Sequence, residues 1–201
     1  MTIKNLNFDS SADFIYEAGI LAKTPRSGFW YLGTGKQNVA EHSFRTAIIA
    51  YMLAQMDESV DSNKVLVMAL FHDFAEARTA DANYVHQKYT KVDEKAAIKD
   101  AFSQVSFGDD VEQTLLELKK RETIEAQIVK EADNLELLAM LRDEQEKGNE
   151  RASHWIKLTA KRLKTQNGKK LAKQLIERHP DDWWFDRDGQ WWVDRTKDKK
   201  D

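Results

Sequence analysis

The stretch VMALFHDFAEARTAD, residues 67–81, begins as core material and ends in ionisable groups. Val67, Met68, Ala69, Leu70 and Phe71 are apolar, and His72, Asp73 and Glu76 follow closely. On a helix, Ala69, His72, Asp73 and Glu76 fall at i, i+3, i+4 and i+7, so the polar residues continue one stripe of the apolar face. A buried, unpaired carboxylate is costly enough that it neutralises or finds a partner, and a metal ion is one such partner. A His-Asp dipeptide alone is weak evidence. Its place on an inward stripe is stronger.

Two further segments carry similar intruders. In NVAEHSFRTAIIAYML, residues 38–53, His42 shares a helical face with Val39, Thr46 and Ile49. In AQIVKEADNLELLAML, residues 126–141, Asp133 lies on the line of Ala126, Val129, Leu137 and Met140. Taken singly, His42 reads as a core histidine, Asp133 as the partner of a nearby cation, and His72-Asp73-Glu76 as a polar helix end. One metal site replaces these separate explanations. Two imidazoles and two carboxylates suit one divalent transition ion, with Mn, Fe, Co and Zn all plausible ions. Mg prefers oxygen ligands and matches less well.

The rest of the chain fits an all-α protein. Its 201 residues read as a single domain, 1–201. The apolar spacing is helical almost throughout, with two prolines and eight glycines to interrupt it. SSADFIYEAGILAK (10–23) places Phe14, Ile15, Ala18, Leu21 and Ala22 on one side, and TPRSGFWYLGTGKQN (24–38) reads as a loop. VAEHSFRTAIIAYMLAQM (39–56) and SNKVLVMALFHDFAEA (62–77) read as helices. Residues 79–91 read as a loop, and 91–105 as a modest helix. A long helical pattern, open to one break, covers 109–147, and another covers 152–178. DDWWFDRDGQWWVD (181–194) holds four of the six tryptophans around an Asp188-Gly189 turn signal. It predicts a short C-terminal β-hairpin that caps the bundle or docks a second subunit.

Charge is dense but balanced, 31 basic against 34 acidic residues, which gives no support for a nucleic-acid polymer or an anionic membrane as partner. The absence of cysteine excludes disulfides, zinc ribbons and thiol catalysis. No segment has signal-peptide or membrane-span character, so the expected location is cytoplasmic.

The order His42, His72-Asp73, Asp133 resembles the HD-domain metal-dependent phosphohydrolases. The blocks NVAEHS (38–43), ALFHDFAEARTAD (69–81) and IVKEADNLELL (128–138) are similar to its 5′-deoxynucleotidase branch. The likeness spans about residues 12–145 and leaves about 150–195, the last helical pattern and the Trp-rich segment, outside it. It implies an HD-domain helical bundle, a homodimer, and His42, His72, Asp73 and Asp133 as metal ligands. Glu76 matches the catalytic glutamate of the family's HDxxE pattern, and Asp81 matches a second active-site acid. Arg26 in PRSGFW matches an arginine that contacts the substrate phosphate, and Phe29 or Trp30 an aromatic near the sugar. Relatives carry Arg-x-Gly-Trp or Arg-Trp, whereas here Phe29 intervenes before Trp30, a departure that bears on deoxyribose selectivity.

The expected chemistry is hydrolysis of a nucleotide phosphomonoester, a deoxyribonucleoside monophosphate giving the deoxynucleoside and phosphate. Glu76 or Asp81 would handle the proton, and Arg26 would stabilise charge on the phosphoryl oxygens. One alternative is a dNTP triphosphohydrolase, with Arg78, Lys88 and Lys91 as the extra cations, or an enzyme of cyclic or alarmone nucleotides. Another is a non-catalytic nucleotide-binding HD protein. Glu76 argues against the last, since a structural metal site has no use for an additional acid.

Overall fold

Capping residues set where most of the longer helices begin. Asn38 accepts from the Glu41 N–H while the Glu41 side chain reaches back to the Asn38 N–H. Asp61, Asp93, Thr123, Asn149 and Thr165 each cap a later helix with a side-chain oxygen. The computed structural model describes residues 8–186 and 188–195. Its helices are α1 (Phe8–Ala18), α2 (Phe29–Leu32), α3 (Val39–Ala54), α4 (Ser62–Phe71), α5 (Glu76–Thr79) and α6 (His86–Tyr89). They continue as α7 (Glu94–Phe102), α8 (Gly108–Lys120), α9 (Ile124–Glu146), α10 (Glu150–Ala160) and α11 (Gln166–Glu177). No sheet forms among the described residues; one isolated bridge joins Pro25 to Asn38. The chain is all-α, as expected.

The long pattern over 109–147 is two helices, because Arg121 turns left-handed at φ +58° and Thr123 caps a new start. The second of them, α9, is the centre of the bundle and packs against α3, α4, α8, α10 and α11. Ala126, Val129, Ala132, Leu135 and Leu138 are buried on it together with Ala50, Val65, Met68 and Ala69. Each fully buried Leu or Met there contributes about 1.5–3 kcal/mol. A second cluster stacks Phe14 on Phe74 at 4.8 Å and sets Phe71 and Phe102 against them.

Some details differ from the sequence reading. α4 ends at Phe71 and does not run through to Glu76. Phe74 and Glu76 donate to the carbonyls of Phe71 and Asp73, tight i to i−3 bonds that turn the chain. The turn puts Phe71 and Phe74 into one aromatic cluster, a gain that an unbroken helix would forfeit. Val67 and Leu70 lie on the exposed side, so Val65, Met68 and Ala69 anchor the helix. Ile15 and Ala22 likewise point outward, while Phe14, Ala18 and Leu21 face in.

The C-terminal hairpin does not form among the described residues. Trp184 and Phe185 donate to the Asp181 carbonyl, Gly189 to Asp186 and Trp192 to Gly189. These local bonds consume the groups a cross-strand ladder would need. A 3₁₀ turn, Gln190–Trp192, gathers Trp184, Phe185 and Trp191 around Trp192 instead. No helix among the described residues is long and apolar enough to cross a membrane.

Candidate active site

Helices α3, α4 and α9 bring four residues from distant parts of the chain to one point. His42 lies one turn into α3, His72 and Asp73 form the turn that ends α4, and Asp133 lies in the first half of α9. The His42 and His72 Nε2 atoms are 3.3 Å apart. Asp73 Oδ2 is 3.2 Å from His72 Nε2 and 3.6 Å from His42 Nε2, and Asp133 Oδ1 is 3.4 Å from His42 Nε2. His42, His72 and Asp133 each offer a donor atom within 4.8 Å of the others.

The two imidazoles are oriented from behind. His72 Nδ1–H donates to the Ala69 carbonyl at 2.8 Å, and His42 Nδ1–H donates to Glu136 Oε2 at 2.5 Å. Each ring therefore turns Nε2 toward the other with its Nδ1 proton already committed. With both rings neutral the two Nε2 lone pairs would face one another and repel; a cation there, a proton on His42 or a metal ion in its place, removes the conflict. Donors each about 2.1 Å from one ion lie about 3.0 Å apart at a right angle and about 3.4 Å apart at the tetrahedral angle. The observed separations of 3.2–3.6 Å match that spacing. The residues fit a divalent metal.

Charge around the cluster is balanced by cations at its rim. Arg26 Nη1 reaches Asp73 Oδ2 at 3.3 Å, and Lys130 Nζ pairs with Asp133 Oδ2 at 2.5 Å. Burial opposes ionisation of Asp73, but His72, His42 and Arg26 outweigh it and hold the carboxyl well below the usual range. Asp133 is likewise held low against burial by His42 and Lys130. Burial also works against a charged His42, yet its bonds to Asp133 and Glu136 prevail and raise it to about 9. Glu76 goes the other way. Burial, then the carboxylates of Asp73 and Asp81, push it up to about 9. Its Oε2 is buried and has no hydrogen-bond partner among the described residues. Such a group holds a proton at neutral pH in the metal-free protein and can donate it.

Arg26 reaches the cluster because the loop before α3 folds back on itself. Gly33 and Gly35 both adopt φ +87°, a region that favours glycine, and the returning chain accepts the Arg26 N–H at the Gln37 carbonyl, 2.9 Å. The next residue locks the loop to the far side of the site. Ser27 donates its N–H to Asp81 Oδ2 at 2.7 Å and its hydroxyl to the Asp81 carbonyl at 2.7 Å. Asn83 in turn donates to Ser27 Oγ.

A cavity of about 640 Å³ opens on His72, Asp73, Glu76, Lys95, Lys130 and Asp133. A second, of about 370 Å³, shares Thr79, Ala80 and Ala82 with it and is lined by Trp30, Asp81 and His86. Phe29 and Trp30 part company here. Phe29 is buried with Leu32, Leu141 and Ile156, whereas Trp30 is exposed and meets His86 edge-on at 6.0 Å.

Glu136 was absent from the sequence reading. It is fully buried, and its Oε1 accepts from Gln37 Nε2 at 2.6 Å and Arg45 Nε at 2.9 Å while its Oε2 takes His42. The signal available was its position, one turn beyond Asp133 on the same face.

The all-helical bundle thus converges two histidines and two aspartates from three helices on one point. The HD domain profile matches residues 18–176, and the chain belongs to the HD-domain family. It is a hydrolase of that family. It is 27% identical over 140 residues to the 5′-deoxynucleotidase hdd1 of Schizosaccharomyces pombe, covering 64% of this chain and 69% of the relative. It is 27% identical over 145 residues to the 5′-deoxynucleotidase HDDC2 of Danio rerio, covering 69% and 71%. A conserved hypothetical protein of Pyrococcus furiosus superposes with a TM-score of 0.71 at 26% identity, covering 83% of this chain and 99% of that one.

Proposed function

We propose that the chain hydrolyses the phosphomonoester of a nucleotide, converting a deoxyribonucleoside 5′-monophosphate to the deoxynucleoside and phosphate. The observation that carries this reading is Arg26, a half-buried guanidinium 3.3 Å from Asp73 at the edge of the donor cluster. Its planar fork suits one phosphoryl group. The names of the relatives, 5′-deoxynucleotidases in yeast and fish, support the same substrate class.

When bound by His42, His72, Asp73 and Asp133, a divalent ion supplies Lewis-acid polarisation and an acidified water. Two nitrogen and two carboxylate donors favour Mn, Fe, Co or Zn over Mg. Arg26 exchanges part of its pairing with Asp73 for the phosphoryl oxygens, where charge grows in the transition state. Glu76 delivers its proton to the leaving 5′ oxygen, and as a carboxylate it then receives one from the attacking water. Asp81 is the competing acid, but its Oδ2 already accepts from Ser27. That bond supports a role for it in holding the Arg26 loop. Exposure of Trp30 on the second cavity supports it as the aromatic that packs on sugar or base, while Phe29 belongs to the core.

Release of triphosphate from a dNTP is a second reading, and Lys95 and Arg121 at the cavity wall favour it. Two of the cations first considered for it are committed elsewhere: Arg78 forks onto Glu17, and Lys88 sits 4.4 Å over the Tyr84 ring. A screen of dNMPs, NMPs and dNTPs with Mn, Co, Mg and Zn separates the two. Free phosphate from dNMPs is expected; triphosphate from dNTPs would overturn the assignment.

We also propose a homodimer. Phe44, Ile48 and Tyr51 of α3 and Leu66, Val67 and Leu70 of α4 remain 36–68% exposed on two helices that pack together. An apolar surface of that kind suits one side of a dimer interface of about 800 Å² per partner. Phe44→Glu should yield a monomer in analytical ultracentrifugation, and an unchanged sedimentation coefficient would reject this face.

A further inference from the structure

We propose that Glu136 is a positioning residue that sets the metal affinity of the site by fixing His42 with Nδ1–H turned away from the cluster and Nε2 turned into it. The inference rests on the metal-dependent reading above and adds a residue to it.

Glu136 lies one turn beyond Asp133 on α9, so one helix supplies both a ligand and the group behind another ligand. Its two oxygens have separate tasks. Oε2 accepts from His42 Nδ1 at 2.5 Å. Oε1 accepts from Gln37 Nε2 at 2.6 Å and from Arg45 Nε and Nη2 at 2.9 and 2.5 Å. Gln37 precedes α3 and Arg45 lies on it, three residues after His42, so the carboxylate is clamped by the same helix whose histidine it orients. Both Arg45 nitrogens and Gln37 converge on Oε1, which anchors that oxygen and leaves Oε2 to His42 alone.

A brace between α3 and α9 needs no ionised group. Apolar side chains of similar volume would pack there without the cost of burying a charge. A carboxylate aimed at a ligand's Nδ1 does something packing cannot: it fixes the tautomer and raises the donor strength of Nε2. The contrast with His72 is informative, since a neutral carbonyl, that of Ala69, holds the same atom of that ring. The two imidazoles of the site are therefore unequal, and His42 is the stronger donor.

The test is titration of the metal-free full chain with Mn²⁺ by isothermal calorimetry, with circular dichroism as the control for folding. Glu136→Gln keeps the shape and one acceptor oxygen but removes the charge. Mn²⁺ should bind about 10- to 100-fold more weakly, while KM for the nucleotide at saturating Mn²⁺ stays within about twofold. If Glu136→Gln does not fold, Arg45→Met serves instead, because Arg45 is partly exposed and its loss frees the carboxylate to rotate. The same weakening is expected. Mn²⁺ affinity within about twofold of the wild type in the folded variant overturns the proposal. Wild-type protein that binds no Mn²⁺ would instead sink the metal-dependent reading, so the two failures are distinct.

Discussion

The Ser27 N–H and the Asp81 carboxylate meet at 2.7 Å across 54 residues of sequence, joining the loop that carries Arg26 to the segment that follows Glu76. The bond distinguishes two roles for Asp81. Asp81→Asn keeps an oxygen that can accept the same N–H, so kcat should stay within about tenfold of the wild type. Asp81→Ala loses the clamp, lets Arg26 drift, and should raise KM for the nucleotide about tenfold. Steady-state kinetics on both variants decide; a loss of about 10³-fold in kcat for Asp81→Asn would make Asp81 the proton donor.

Glu76 should behave differently from the ligands. It is buried beside the cluster with one oxygen unpartnered, and no hydrogen bond ties it to the imidazoles. Glu76→Gln should retain metal, measured by elemental analysis of the purified protein, and lose about 10²- to 10⁴-fold in kcat. His42→Ala and Asp73→Ala should lose both. Near wild-type turnover in Glu76→Gln would remove it from the mechanism.

Much of this site was legible because three helices each break an apolar pattern with one polar intruder. His42 and Asp133 stood out against Val39, Thr46, Ala126 and Val129, all of which are buried. Glu136 did not stand out, because α9 is enclosed on nearly every side. Glu131, Asn134, Glu136 and Glu144 are all buried on it, so the helix has no solvent face for periodicity to reveal. The end of α4 was missed for a related reason. His72 and Asp73 keep helical spacing in sequence, but the chain turns there to stack Phe74 on Phe14, a contact with no local signature. The Trp-rich segment erred the other way: its Asp-Gly turn signal is real, yet local bonds from Trp184, Gly189 and Trp192 leave no ladder.

Ala80 marks strain between Glu76 and Asp81. It adopts φ +58° and ψ 165°, a region almost confined to glycine. A residue with a Cβ in that conformation costs on the order of 1–3 kcal/mol, and the Ser27–Asp81 bonds hold it there. Ala80→Gly should relieve the strain and raise the midpoint of thermal unfolding by a few degrees, about 1 kcal/mol in stability after the added chain entropy is counted. A lowered midpoint in differential scanning calorimetry would reject the strained assignment.

Stability of the metal-free protein should fall as pH rises from about 6.5 to 9. Burial disfavours a charged His42, but its bonds to Asp133 and Glu136 raise it from 6.5 to about 9 in the folded chain. A group raised in this way stabilises fully below its unfolded value and loses that contribution as pH passes through the folded one. At about 1.36 kcal/mol per unit, His42 alone accounts for on the order of 3 kcal/mol. Glu76 adds in the same direction, since folding favours its protonated form up to about 9. Metal binding reverses the trend, because the ion competes with protons for His42 and gains as they leave. Thermal unfolding at pH 6.5 and 9, with chelator and with saturating Mn²⁺, should show a large fall in the first case and little or none in the second. His42→Gln should make the metal-free profile shallower, leaving the part that Glu76 contributes. Equal midpoints for the metal-free wild type at the two pH values would mean that His42 carries no excess proton in the folded chain.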